Sequence, residues 1–259
     1  VTTYDDPIDL ARRATTLARP TLVAYDCDGV LAPIVDHADD SVLLPGITDQ
    51  LTRLHELGVA VAIVSGRSLS GLEQFSFPPE IIVIGSHGAE RRGRSTTPLD
   101  QEESARLRRL DQLARSARDT AGAGAWIEEK PASVVLHVRQ AGDERARRAL
   151  DELTAAASEV EGAHQKPGSG VLELIARTAD KGSAIARLCD ETSSASCAFL
   201  GDDRTDEDAF ATLGDGDLTI KVGPGETTAT SRLGTPADVL QWTRALADGL
   251  EAERQNNVR

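Results

Sequence analysis

Apolar positions along the chain follow two rhythms. Short unbroken runs, TLVAYD (21–26), VAVAIV (59–64) and EIIVIG (80–85), are rich in β-branched residues and read as strands buried on both faces. Between the first two, Ile47, Leu51, Leu54 and Leu57 recur at helical spacing, and Pro45 and Gly58 suit the ends of that helix. SGRSLSGLEQF, after the second run, opens another helix. Buried strands separated by helices predict a parallel sheet with helices on both faces.

The rhythm changes in the middle. ESARLRRLDQLARSA and DERARRALDELTAAASEV carry apolar stripes, Leu107, Leu110 and Leu113 on one and Leu150, Leu153 and Val160 on the other. Shorter segments AWIEE, ASVVLHVR and VLELIA lie between and after them, the first two meeting at a tight connection, EKPA. Strands with helices on one face make an α+β insert, so 91–176 reads as an inserted cap domain within a core of 1–90 and 177–259. The first pattern then resumes with helix KGSAIARLCDE, strand CAFLG, helix TDEDAFATL and strand LTIKV. A last helix starts at Pro236, capped by Thr235, with Val239, Trp242, Leu246 and Leu250 on one face. The tail EAERQNNVR is expected to fray. The fold class is therefore α/β, a Rossmann-like parallel core interrupted by an α+β lid.

Charge narrows the partners. The net charge is −14 over 259 residues, from 28 Lys+Arg against 42 Asp+Glu, which argues against a nucleic-acid partner because phosphate backbones call for a basic surface. A small anionic substrate stays compatible, since a local cation cluster can hold it. No apolar run reaches membrane-spanning length, and the N-terminal stretch lacks the basic-then-apolar order of a secretory signal. Cys27, Cys189 and Cys197 are too few and too irregular for a disulfide framework or zinc site, so a cytoplasmic location is expected.

Ligands of open parallel sheets bind beyond the carboxyl ends of the strands, and four polar clusters sit there: Asp26 with Asp28, Ser65 with Arg67, Lys181, and GDDRTDED with Asp202, Asp203 and Asp206. Each alone has a bland reading: a turn, a helix entry, a solvated lysine, an exposed acidic helix terminus. Together and in order they point to one reaction centre. Carboxylates so placed repel one another unless a cation joins them, and Mg²⁺ suits a few carboxylates plus substrate phosphate. An aspartate can attack phosphorus and form an aspartyl-phosphate, while a second carboxyl group protonates the leaving alcohol and then activates water. Asp26 and Asp28 suit these roles in that order, with Ser65 and Lys181 binding phosphate oxygens.

These motifs, DCDGVLAPI, the serine of VSGR, Lys181 and GDDRTDEDAF, resemble those of the haloacid-dehalogenase-like phosphohydrolases. The resemblance implies Asp26 as nucleophile, Asp28 as general acid/base, and Mg²⁺ held by the Asp26 carboxylate, the Asp28 carbonyl and Asp202, with Asp203 and Asp206 supporting. GSHGAE, EEKPASVVLHVR and VLELIARTADKG further resemble the trehalose-6-phosphate phosphatases. That likeness implies a phosphoric monoester hydrolase acting on trehalose 6-phosphate. It implies sugar or phosphate contacts from Arg67, Ser86, His87, Gly88, Glu128, Lys130, Arg139 and Glu173. Glu128 and Lys130 also read as a surface ion pair, and His137 as a satisfied structural group. Glu173, amid apolar neighbours, calls for a partner or ligand. Departures from the pattern are Cys27 for an aromatic, LHVR for His-Tyr-Arg, Pro131 after the lysine and Ser86 for asparagine. They bear on which sugar is accepted, so phosphatases for sucrose 6-phosphate, a glycosyl-phosphoglycerate or a pseudo-disaccharide phosphate are the rivals. A silent sugar-phosphate sensor is the rival from another class. The expected partner is a small-molecule sugar phosphate, with a monomeric state compatible and a synthase partner left open.

Overall fold

The computed structural model describes residues 2–35, 37, 40–94, 99–130, 132–168, 170–177 and 180–257. In chain order the helices and strands are α1 (Pro7–Thr15), β1 (Thr21–Tyr25), α2 (Ile47–Glu56), β2 (Ala60–Val64), α3 (Leu69–Leu72), β3 (Ile82–Gly85) and β4 (Glu90–Arg91). There follow α4 (Gln101–Ala121), β5 (Trp126–Glu129), β6 (Ser133–His137), α5 (Asp143–Ser158), β7 (His164–Gly168) and β8 (Val171–Ile175). The chain ends with α6 (Lys181–Thr192), β9 (Ser196–Gly201), α7 (Arg204–Thr212), β10 (Leu218–Val222), β11 (Ser231–Leu233) and α8 (Pro236–Asn257). Two compact units result, Val1–Ser95 with Ala179–Arg259, and Thr96–Thr178.

The larger unit holds a seven-stranded sheet in the order β11-β10-β9-β1-β2-β3-β4, parallel except for β4, which runs antiparallel to β3. Strand periodicity sorts the side chains into two cores. Val23, Tyr25, Val61, Ile63, Ala198 and Leu200 pack with residues of α1, α2 and α8 such as Leu10, Leu51 and Trp242. Leu22, Ala24, Ala62, Val64 and Phe199 pack on the other face with Ile185, Leu188 and Phe210 of α6 and α7. Burial on both faces explains the unbroken apolar runs.

The smaller unit is a four-stranded antiparallel sheet, β5-β6-β8-β7. Val134, Leu136, Leu172 and Leu174 face α4 and α5, whose Ala114, Ala117, Ala149 and Ala157 let the helices lie close. The opposite face carries the alternate residues, among them Trp126, Glu128, His137 and Glu173.

The structure differs from the expected elements at several points. Helix α1 was not foreseen, although Asp6 caps it and Pro7 opens it. The helix expected through SGRSLSGLEQF shrinks to α3 and a 3-10 turn, Glu73–Phe75. Strand β7, HQKPG, has no apolar run at all. The tail is helical to Asn257, and its last two residues lie outside the described ones. The EKPA connection includes Pro131, outside the described residues, but Lys130 N donates to Ser133 O (2.9 Å) across it.

Candidate active site

The carboxyl ends of β1, β2 and β9 and the start of α6 carry the polar groups of the larger unit. The backbone amide of Asp26, just past β1, donates to Leu200 O (2.9 Å), so the aspartate is anchored to β9. Its Oδ1 accepts from Cys27 N (2.6 Å), and its Oδ2 lies 2.7 Å from Lys181 Nζ. The chain then doubles back: Leu31 N and Ala32 N both donate to Cys27 O, and Gly29 N to Ala32 O. Gly29 adopts φ +72°, and a Cβ there would sit 2.0 Å from Asp202 Oδ2, so only glycine lets the two loops meet.

Lys181 is the first residue of α6, whose N-cap Asp180 accepts from Ser183 N. Its ammonium is 1% exposed and lies 2.7 Å from both Asp26 Oδ2 and Asp206 Oδ1. Asp206 belongs to a capping box at the start of α7. Its Oδ2 accepts from Asp202 N (2.8 Å) and Asp203 N (3.0 Å), while Asp203 Oδ1 accepts from Thr205 N. Both oxygens of Asp206 are thus occupied, and it acts as a brace for the acidic loop. Gly201 allows it, since a Cβ there would stand 2.3 Å from Asp206 Cγ. From β10, Lys221 Nζ donates to Asp202 O (2.5 Å) and Val222 O (2.8 Å), pinning the same loop through its backbone.

Asp28 has different company. Arg67 grips it with two bonds, Nε to Oδ2 (2.5 Å) and Nη2 to Oδ1 (2.8 Å), and Ser41 Oγ donates to Oδ1 (3.1 Å). Arg67 also lies over the Phe75 ring, 5.1 Å from its centroid. Ser65, buried at the end of β2, accepts from Arg67 N (3.2 Å). The SHG turn braces this region: Ser86 N donates to Arg67 O and His87 N to Ser65 O. Ser86, His87 and Gly88 all have positive φ (50°, 56° and 116°), a strained run held by Glu90 Oε2, which accepts from Ser86 Oγ and Leu69 N.

Electrostatics separate the carboxylates. Burial, against the pull of Lys181, raises Asp26 to about 6, and burial with the charge of Asp26 raises Asp206 to about 7. Burial followed by the charges of Asp206 and Asp203 raises Asp202 to about 6. Burial alone would lower the Lys181 ammonium, but Asp26 and Asp206 more than reverse it, so it stays protonated. Of the described lysines, Lys181 alone sits between buried carboxylates, and Lys221 reaches the acidic loop only through backbone carbonyls. Among the described residues nothing donates to the Asp202 carboxylate, which faces the bend at Gly29. Oxygens of Asp26, Asp203 and Asp206 lie within 4.8 Å of one another. This all-oxygen set fits a hard divalent cation. Asp202, the donor the resemblance implies, is not among these three.

In the smaller unit, the residues expected to contact sugar share the sheet face away from the helices. Glu128 and Glu173 both register against Val135, on the strands flanking β6. Lys130 pairs with Glu173 (3.0 Å) and not with Glu128, which meets His137 Nε2 instead (2.9 Å). Glu173 Oε1 also accepts from Ser133 Oγ (2.6 Å). Burial alone would raise Glu173, but the bonds from Ser133 and Lys130 hold it below the usual range. Arg139 lies two residues past β6, against Gly170, where a Cβ would stand 2.6 Å from Arg139 Cγ. Sequence reasoning missed Ser41, Glu90 and Lys221. Glu90 lay inside the quoted GSHGAE; Ser41 and Lys221 had no such signal.

The chain matches the family described as trehalose-phosphatase over residues 24–235. A trehalose-6-phosphate phosphatase of Escherichia coli is 33% identical over 240 residues, covering 90% of this chain and 89% of that protein. A trehalose-phosphate phosphatase of Mycobacterium tuberculosis is also 33% identical, over 248 residues; there this chain spans 62% of the relative's length. The solved structure of Aspergillus fumigatus trehalose-6-phosphate phosphatase superposes with a TM-score of 0.66 at 25% identity, covering 96% of this chain and 100% of that one.

Proposed function

The chain belongs to the trehalose-phosphatase family, which places it among the phosphoric monoester hydrolases, and from that premise we propose that it hydrolyses trehalose 6-phosphate to trehalose and inorganic phosphate. The observation that carries the chemistry is the separation of Asp26 from Asp28: one carboxylate sits on a buried ammonium, the other in an arginine fork.

Asp26 attacks phosphorus, the bond to the sugar oxygen breaks, and Asp28 gives that oxygen a proton. Asp28 then takes a proton from water, whose oxygen attacks the aspartyl-phosphate, freeing phosphate and restoring Asp26. Both oxygens of Asp28 accept from Arg67, an arrangement suited to a carboxylate and so to the second step. Donating a proton in the first requires one of those contacts to open, and an arriving phosphate competes for the same guanidinium. Lys181 keeps positive charge beside the attacking oxygen throughout. Asp26, Asp202 and the Asp28 carbonyl would hold Mg²⁺, which would supply neutralising charge for the phosphoryl oxygens. Ser65, Ser86, His87 and Gly88 are proposed for phosphate and sugar on the core side, and Glu128, Lys130, Arg139 and Glu173 for the sugar hydroxyls.

A panel of sugar phosphates, assayed with Mg²⁺ and with chelator, tests this. Trehalose 6-phosphate is expected to give the highest kcat/KM, and chelation to abolish turnover; a better sucrose 6-phosphate would overturn the substrate assignment.

The cation has a second readout. Asp26, Asp202 and Asp206 titrate above their unfolded values, so the stability they contribute is present at low pH and is lost as pH rises through about 6 to 7. A cation that binds the ionised carboxylates offsets that loss. Added Mg²⁺ should therefore raise the melting temperature more at about pH 8 than at about pH 5, where protons compete for the oxygens. An equal or smaller shift at the higher pH contradicts the site.

A further inference from the structure

The face of the smaller sheet away from its helices carries an aromatic group that the proposed mechanism does not use. Trp126 stands directly across from His137 in the β5–β6 register, and the two rings lie flat together, centroids 3.8 Å apart and planes 3° from parallel. His137 is fixed in turn by Glu128, two residues along β5. The indole is 49% exposed, whereas the chain's other tryptophan, Trp242, is wholly buried in the larger unit. Among the described residues, β5 is the edge strand of this sheet.

We propose that Trp126 is a stacking shelf for a pyranose ring of the substrate, and so a specificity-determining residue; this rests on the sugar-phosphate reading above. A pyranose presents C–H groups on its faces and hydroxyls around its rim. A flat apolar ring takes the first, and carboxylates and an ammonium take the second. The same sheet face provides both: the Trp126–His137 pair, then Glu128 on the same strand and Glu173 with Lys130 across β6. His137 holds the indole flat and is a positioning residue.

Kinetics on wild type, Trp126→Ala and Trp126→Phe test the proposal, with trehalose 6-phosphate compared with β-glycerophosphate, an ester without a sugar ring. Trp126→Ala should lose kcat/KM for the disaccharide about three- to tenfold more than for the small ester, mainly through KM, with Trp126→Phe restoring most of it. Trehalose should shift tryptophan emission in wild type, and the shift should vanish in Trp126→Phe, since Trp242 is shielded. Equal losses for both esters, or an emission shift that survives Trp126→Phe, overturn the proposal and leave the phosphatase reading standing. If wild type turns over another sugar phosphate better, the substrate reading falls. The same ratio measured on that ester then decides the shelf.

Discussion

Asp26→Asn should leave a folded protein that releases phosphate at least about ten-thousandfold more slowly than wild type. The amide keeps the shape of the side chain and its bond from Cys27 N, so the bend from Cys27 to Ala32 has no reason to change. What it loses is a nucleophilic oxygen with a charge. The effect belongs in kcat, because the proposed phosphate contacts, Ser65 and Lys181, are untouched. Lys181 keeps Asp206 as a partner, so the variant retains a paired ammonium at the same place. Single-turnover assays with trehalose 6-phosphate, alongside near-ultraviolet circular dichroism to show the fold intact, measure this. Turnover at more than a few per cent of the wild-type rate would remove Asp26 from the nucleophile's role.

The second large effect is structural as well as chemical. Lys181→Met replaces the ammonium with an apolar chain of similar length and leaves Asp26 and Asp206, both buried, facing one another with no cation between them. Breaking a buried ion pair from one side costs about 3–5 kcal/mol, because the partner charge stays behind. The sign with pH follows. Both carboxyls already titrate above their unfolded values, and losing the lysine raises them further. Protonated, they are tolerated; as pH rises they ionise in the unfolded chain first, and the folded state loses ground. Stability of Lys181→Met should therefore fall more steeply than that of wild type between about pH 5 and pH 8, measured by urea unfolding without added metal. Lys181→Met with Asp206→Asn should recover part of the loss and stay inactive. A pH profile parallel to wild type would show that the ammonium does not govern these carboxyls.

Much of the parallel core was legible because its strands are buried on both faces, which leaves a one-dimensional signature: an apolar run closed by a polar residue. Asp26, Ser65 and Asp202 stand at the ends of such runs, so sheet topology alone brings them to one edge. Helix α1 lacked that signature, since its buried side is Leu10, Ala11 and Ala14, and alanines barely register as apolar. Strand β7 was illegible for another reason. It is an edge strand hydrogen-bonded only to β8, and an edge tolerates Pro167 and an exposed polar surface. In the site, groups that act through side chains were easier to find than those that act on the backbone. Lys221 reads as an ordinary strand lysine until its ammonium is seen on two carbonyls, and Glu90 until it is seen bonded to Leu69 N. The partner of Arg67 was equally hidden, because nothing in VSGR says which carboxylate its fork will meet.

The split of the larger unit also sets an order of events as the chain is made. Strand β1 takes β2 on one side from its own neighbourhood, but its other neighbour, β9, is encoded beyond the whole smaller unit. The smaller unit is continuous in sequence and has its own apolar cluster, so a growing chain can complete it before the larger sheet closes. Asp26, near the start of the chain, then waits for the carbonyl of Leu200 to fix its backbone and for Lys181 to meet its charge. A chain interrupted before β9 would contain both proposed catalytic aspartates and still lack the scaffold that makes either of them reactive.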